Sequence, residues 1–389
     1  MSNSSMTIAI DIRALSQGVG GVAEYTRNIV RTLIATEKTH TYILFANSWK
    51  NYCTDWIAPS GPRHTIVQCR YPNKFFHLAQ MTVRRPCLDT LVQRMSGRKP
   101  DLFFFPNVHF AALSGATPAV LTVHDFSFMV HPQLLSAKSY WWHRCTRPSA
   151  LIARMNHIIA VSDSTKRDCI ALCKKSPQDI TVVHHDCDQS SQTQPADAQS
   201  SHPRTYIILL GAHEQRKNAF GALEAFALLW RRNPAVRIYT LVLIAKEGSL
   251  FRRIARRIQQ YEMEGAVLLF STQSEKEKRE LFARARVLLY PSIYEGFGLP
   301  LVEAARAGVR IVSSGRGGIG EVIGNGALLV DPCNVHDMEY ALEYALCDEG
   351  GGSQSIRTSA FQAAKQYSWE TTAAATRSVF ETVVKEARL

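Results

Sequence analysis

Val287-Leu288-Leu289-Tyr290-Pro291-Ser292-Ile293-Tyr294-Glu295-Gly296-Phe297-Gly298-Leu299-Pro300-Leu301-Val302-Glu303 passes from an apolar run, through a glycine turn, into a helix-like run. Val287 to Tyr290 reads as a buried strand, and Leu301 to Ala307 as a helix. The two glycines let the backbone approach a ligand closely. Pro300 suits the first helical turn, where its missing N–H costs nothing. A strand, a glycine turn and a fresh helix N-terminus together form an anion site. Carboxylates on either side, Glu295 and Glu303, suit the hydroxyls of a sugar or ribose.

The same strand-to-helix alternation extends in both directions. Ile8-Ala9-Ile10, Thr41 to Phe45, Asp101 to Phe105, Ala119 to Val123, His157 to Val161 and Thr181 to Val183 are short apolar runs separated by helix-like segments. A second series begins at Tyr206 to Leu210. It continues through Tyr239 to Ile244, Ala266 to Phe270, Val287 to Tyr290, Val309 to Val312 and Ala327 to Val330. Apolar strands alternating with helices predict parallel sheets. Between the two series, Asp186 to Pro203 is rich in Ser, Gln, Asp and Pro and reads as a polar linker. The expected organisation is α/β, with two Rossmann-like doubly wound domains facing across a cleft. Residues 1–185 form the first domain, 186–203 the linker, 204–367 the second domain, and 368–389 a final helix. Ligands in such folds bind at the carboxyl ends of the strands.

Composition agrees with two cores. The chain has 389 residues, 46% hydrophobic and 20% charged, which is too long for one ordinary domain. No apolar run approaches the roughly 18 residues of a membrane span. Met6 to Asp11 reads as a first strand and not as a signal peptide, so a cytoplasmic location is expected. None of the nine cysteines forms a C-x-x-C pair, and no metal site is expected. The formal net charge of +12 favours anionic partners without choosing among them. Between Arg63 and Lys99 eight basic residues face one acid, Asp89, with Tyr71, Phe75 and Phe76 interleaved. That stretch suits peripheral contact with an anionic membrane, at the inner face of the plasma membrane, or a phosphorylated lipid acceptor. A nucleic-acid patch and a solvated surface are the alternatives. Arg252, Arg253, Arg256 and Arg257 lie opposite Phe251, Ile254 and Ile258 and read as the wet face of an amphipathic helix.

Three further groups sit at strand ends. Gly18-Val19-Gly20-Gly21 follows the first strand and suits a diphosphate, but its spacing is not the dinucleotide fingerprint. His124-Asp125 follows Ala119 to Val123; it either meets a transferred group or satisfies loop carbonyls. Arg216-Lys217-Asn218 places two cations where phosphates would lie. Glu295 and Glu303 are an unlikely glycosidase pair, since one precedes the turn and the other lies inside the helix. The apolar neighbours of Glu303 argue against a surface salt bridge.

With these residues in place, nearly the whole chain resembles the retaining glycosyltransferases of family 4, mannosyltransferase-like, with the GT-B fold. The resemblance rests on Gly18 to Gly21, Thr122 to Asp125, Val161 to Thr165, Arg216-Lys217-Asn218, Glu295 to Glu303 and Tyr367-Ser368-Trp369-Glu370. It implies that Gly20 and Gly21 lie by the diphosphate and that His124 sits near the transferred sugar. Arg216 and Lys217 would hold the diphosphate, and Glu295 the sugar hydroxyls. Phe297, Gly298 and Leu299 would lend backbone N–H groups, and Glu303 would bind the ribose. It also implies metal-free catalysis without a cofactor, and a final helix crossing back to the first domain. The implied donor is a nucleotide sugar, GDP-mannose. The implied acceptor is a saccharide or lipid-linked molecule in surface polysaccharide (lipopolysaccharide) biosynthesis. The rival readings are a nucleotide-sugar epimerase and a basic nucleic-acid-binding protein with a degenerate site. Two departures from the family pattern stand out: His184-His185-Asp186-Cys187-Asp188 after the last strand of the first domain, and Ile319-Gly320-Glu321 after Gly318.

Overall fold

The computed structural model describes residues 5–17, 20–49, 61, 63–187, 205–271, 275–348 and 351–389. Its contacts divide the chain into two units. Met1–Met129, Ser136–His185 and Ser368–Leu389 form the first, and Val130–Leu135 with Asp186–Tyr367 the second.

The first unit holds β1 (Thr7–Asp11), β2 (Thr41–Asn47), β3 (His64–Cys69), β4 (Leu102–Phe105), β5 (Ala119–Val123), β6 (His157–Ala160) and β7 (Ile180–Val182). They pair in parallel in the order β3-β2-β1-β4-β5-β6-β7. Every residue of β4, β5 and β6 is buried, which is why these segments read as unbroken apolar runs. Strand β3 was not expected, because His64-Thr65-Ile66-Val67-Gln68-Cys69 mixes polar and apolar residues inside the basic stretch. As an edge strand it is only partly covered, and partial cover tolerates that mixture.

The helix Trp369–Arg388 completes this unit. Ser368 caps it by accepting from the Thr371 N–H. Trp369, Ala373, Phe380, Val383 and Val384 enter one core with Ile8, Ile10, Tyr25, Leu44 and Phe104. The Phe104 and Phe380 rings lie 5.0 Å apart.

The second unit holds β8 (Tyr206–Leu210), β9 (Thr240–Ile244), β10 (Val267–Phe270), β11 (Ala285–Tyr290), β12 (Arg310–Ser314) and β13 (Leu328–Val330). All pair in parallel in the order β10-β9-β8-β11-β12-β13. Strand order reverses between β8 and β11, so the loops leaving their carboxyl ends flank a topological switch point. The helix Ser249–Gln260 buries Leu250, Ile254 and Ile258 and exposes the four arginines, as its periodicity predicts.

The start of the expected linker is a correction. Asp186 and Cys187 are fully buried. Asp186 Oδ1 pairs with Arg306 Nη2 at 2.7 Å. Arg306 also donates to the carbonyls of Ala364 (3.3 Å) and Tyr367 (2.9 Å). A buried guanidinium needs a counter-charge, and Asp186 supplies it. Residues 188–203 of the linker, and Gly18 and Val19 of the glycine loop, lie outside the described residues.

Candidate functional site

At the switch point of the second unit, two loops meet through an ion cluster. After β8 the chain turns through Gln215–Lys217, and Asn218 caps the helix Ala219–Arg232 from a left-handed conformation (φ 56°). The Ile293 N–H donates to the Arg216 carbonyl at 2.8 Å, tying this turn to the loop after β11. Glu295 then spans both cations. Its Oε2 lies 2.6 Å from Arg216 Nη1, and its Oε1 lies 2.6 Å from Lys217 Nζ. Lys217 Nζ also donates to the Tyr290 hydroxyl at 2.6 Å. Arg216 Nε donates to Glu214 Oε2 at 2.8 Å.

Electrostatics follow from burial and these partners. Burial pushes the Glu295 carboxyl up, but Arg216 and then Lys217 outweigh it and hold it down at about 2. Burial lowers Lys217, against the opposing pull of Glu295. Burial and the Glu295 charge raise Tyr290 well above the ordinary phenol range. Glu295 therefore stays ionised at any physiological pH.

The backbone of Glu295 is also fixed. Its carbonyl accepts from the Gly318 N–H at 2.8 Å. Gly317 has φ +66°, and a Cβ there would fall 2.0 Å from the Glu295 carbonyl oxygen. Only glycine allows that approach.

The helix Leu299–Arg306 starts immediately beyond. Gly298 precedes it in the left-handed region (φ 95°), Pro300 lies in its first turn, and no side chain caps it. In its first turn Pro300 has no N–H and the Leu301 N–H donates to the Gly298 carbonyl at 2.9 Å, which leaves the Leu299 N–H to face an anion. Phe297 turns its ring inward, edge-on to Tyr367 at 5.4 Å. Glu303 is buried and pairs with Lys278 Nζ at 2.7 Å. The apolar neighbours of Glu303 had argued against a surface salt bridge, and the pair it forms is largely buried. A carboxylate among Leu301, Val302, Ala304 and Ala305 needs a counter-charge all the more.

In the first unit, His124 follows β5. Its Nε2 lies 2.9 Å from the Pro106 carbonyl oxygen, and its ring sits edge-on to Tyr25 at 4.7 Å. Burial lowers its pKa, against the Pro106 bond and the Asp125 charge. The loop-carbonyl reading of His124 thus describes its hydrogen bond, and the residue is only partly buried. Asp125 turns back to the Ser127 N–H and hydroxyl, at 2.8 and 2.6 Å. Gly20 is the N-cap of the helix Gly21–Thr36, its carbonyl accepting from the Glu24 N–H at 3.0 Å. Among the described residues, no three His, Cys, Asp or Glu side chains gather where an ion could be held.

Comparison with known proteins assigns both halves. The family model described as Glycosyltransferase Family 4 matches residues 19–188, and that described as Glycosyl transferases group 1 matches residues 190–366. The chain is a GT-B glycosyltransferase. It is 29% identical over 262 residues to O-antigen chain mannosyltransferase B of Escherichia coli, a match covering 65% of this chain and 67% of that one. It is also 29% identical over 176 residues to the serotype-specific mannosyltransferase WbdA of Escherichia coli, covering 44% of this chain and only 21% of that protein. Among solved structures, sucrose-phosphate synthase from Thermosynechococcus elongatus superposes with a TM-score of 0.75 at 16% identity. That match covers 98% of this chain and 100% of the other, and it speaks to the fold alone.

The glycosyltransferase's sequence-predicted site residues therefore fall into two groups. Arg216, Lys217 and Glu295 touch one another, with Gly298, Leu299 and Glu303 on the adjoining turn and helix. Gly20, Gly21 and His124 lie in the first unit. Sequence reasoning missed Tyr290, Glu214 and Lys278. Tyr290 was legible in principle, since it ends β11 just before the glycine turn. Lys278 was not, because nothing local links it to Glu303. Tyr25 was missed as well; its hydroxyl lies 3.2 Å from Thr122 Oγ1, and its ring packs against His124, His185 and Trp369.

Proposed function

We propose that this glycosyltransferase moves a hexose, mannose from GDP-mannose, to a saccharide or lipid-linked acceptor in bacterial surface-polysaccharide assembly, with retention at the anomeric carbon. The observation that carries the reading is Glu295 held between Arg216 and Lys217 at the β8/β11 switch point. Two cations bridged by one carboxylate form a site where a diphosphate can exchange for that carboxylate. Arg216 and Lys217 turn to the donor's diphosphate, and Glu295 is released to the sugar hydroxyls. The Leu299 N–H at the start of the helix adds a donor, and Glu303 exchanges Lys278 for the ribose hydroxyls.

As the anomeric C–O bond breaks, its electron pair passes to the diphosphate, which the two cations stabilise. The leaving diphosphate takes the proton from the acceptor hydroxyl on the same face, and the new glycosidic bond forms there. His124, held neutral, orients the transferred sugar. Neither a metal ion nor a cofactor enters this scheme. Two mannosyltransferases among the relatives support mannose.

The test is thermal unfolding of the purified chain with GDP-, UDP- and ADP-sugars, followed by a transfer assay. GDP-mannose is expected to raise the transition most, since a ligand stabilises the state it binds. Lys217→Ala and Glu295→Ala are expected to abolish transfer. Full transfer by both variants removes the site assignment, and a stronger shift with UDP- or ADP-sugars replaces the donor. Conversion of the donor without an acceptor makes the protein an epimerase.

A further inference from the structure

Just past the glycine turn, the helix Gly21–Thr36 sends Tyr25 into the core of the first unit. Its ring is fully buried, and its hydroxyl lies 3.2 Å from Thr122 Oγ1. Thr122 belongs to β5 and is itself fully buried, two positions before His124. The tip of Tyr25 is thus fastened to the strand that carries His124. Its ring meets the imidazole in a T-shaped contact, 4.7 Å between centroids and 84° between planes. Such contacts are directional, because the positive edge of one ring seeks the negative face of the other. Two further buried rings hold Tyr25. His185 lies edge-on at 5.3 Å and Trp369 is tilted at 5.8 Å. Those two stack on each other at 6.1 Å. His185 stands in the segment that departs from the family pattern, and Trp369 opens the helix Trp369–Arg388.

The consequence falls on the two ring nitrogens of His124. Nε2 faces a carbonyl oxygen, that of Pro106, so it carries the proton and donates it. Burial keeps the ring neutral, so Nδ1 retains its lone pair. Among the described residues Nδ1 has no hydrogen-bond partner, and it is not enclosed. A bare imidazole nitrogen accepts a hydrogen bond and cannot give one. Its match on a sugar is therefore a hydroxyl donating its proton. A half-turn of the imidazole would put carbon where each nitrogen stands and forfeit both contacts. The Pro106 bond holds the ring at one atom only, and the packed Tyr25 ring opposes the turn.

We propose that Tyr25 is a positioning residue for transfer: its ring, buttressed by His185 and Trp369, locks His124 with Nε2–H on the Pro106 carbonyl and Nδ1 open to a hydroxyl of the transferred sugar. The proposal rests on the reading of His124 as a sugar contact. Tyr25 acts only through His124 and touches neither donor nor acceptor. A tyrosine that merely filled the core would be replaceable by an apolar side chain of similar bulk. A ring that orients His124 is replaceable only by another ring.

The experiment is nitrogen NMR of the full chain with isotope-labelled histidines at neutral pH, joined to transfer kinetics. His124→Gln assigns the His124 signals by their loss. In the wild type His124 should give one protonated and one bare nitrogen, the mark of a single tautomer. Tyr25→Met keeps apolar bulk and removes the ring. It should move both signals toward the averaged position of exchanging tautomers and lower kcat by roughly tenfold to a hundredfold, with the KM for the donor little changed. Tyr25→Phe, which keeps the ring, should retain both signals and most of the rate. His185→Asn removes one buttress and should shift the signals in the same direction as Tyr25→Met. Circular dichroism melts establish which variants fold, and His185→Asn carries the test should Tyr25→Met unfold. Unmoved His124 signals in a folded Tyr25→Met or in His185→Asn overturn the proposal, as does a Tyr25→Phe chain as slow as Tyr25→Met. Full transfer by His124→Gln, with the single-tautomer signature intact in the wild type, instead removes the reading of His124 as a sugar contact, and the role of Tyr25 in transfer falls with it.

Discussion

Replacing Glu295 by Gln keeps the size of the side chain and removes its charge from between Arg216 and Lys217. The folded carboxyl sits at about 2, against an ordinary value of 4.5. A shift of that size on a buried group corresponds to about 3 kcal/mol of folding stability near neutral pH. The sign follows from the depressed pKa. The contribution is complete above the unfolded value and disappears as pH falls toward the folded one. Glu295→Gln also leaves Lys217 and Arg216 without their carboxylate, and breaking a buried pair costs about 3–5 kcal/mol, in the same range. For a unit of this size that loss lowers the unfolding midpoint by roughly 6–12 °C. The assay is denaturant unfolding of the wild type and of Glu295→Gln, followed by a probe in the second unit, from about pH 7 downward. The gap between them should shrink by roughly a quarter near pH 4 and by more than half near pH 3. Adding Lys217→Met to Glu295→Gln should cost less than the sum of the two single changes. A variant that melts with the wild type at neutral pH, or a gap that widens on acidification, refutes the ion-cluster argument.

Gly317→Ala forces a methyl group onto the Glu295 carbonyl oxygen, 2.0 Å away, in a left-handed backbone. It should cost well over 1 kcal/mol and displace the Glu295 loop. Gly115→Ala, with φ +89° and nothing within 4 Å, should cost only the strain of about 1–2 kcal/mol; comparative melts of the two variants check this. Asp186 behaves in the opposite sense to Glu295. Burial raises its carboxyl to about 6, outweighing Arg306. The wild type should therefore gain stability relative to Asp186→Asn as pH falls from 6 toward 4, which parallel denaturation series would show.

The sheets were legible because each central strand is apolar on both faces, and Ser162 and Ser368 cap helices where the sequence placed them. Strand β3 escaped because an edge strand can be polar on one face. Arg216, Lys217 and Glu295 were each legible as strand-end residues. Their mutual contact was not, because Lys217 and Glu295 stand 78 positions apart and only the β8/β11 pairing brings their loops together. The same holds for Asp186 with Arg306, and for Lys278 with Glu303. Charge placed far along the chain leaves no periodic trace, so polar sequence at Asp186 read as solvent-facing when it was a counter-ion.

The helix Trp369–Arg388 sets an order of assembly during synthesis. Strands β1 to β7 are translated long before Phe380, which their core needs beside Phe104. Nearly all of the second unit lies between them in the chain. On the ribosome, domains usually complete from the amino end. Here the later-translated unit can close first, while the earlier one waits with an unfilled core for the helix to emerge.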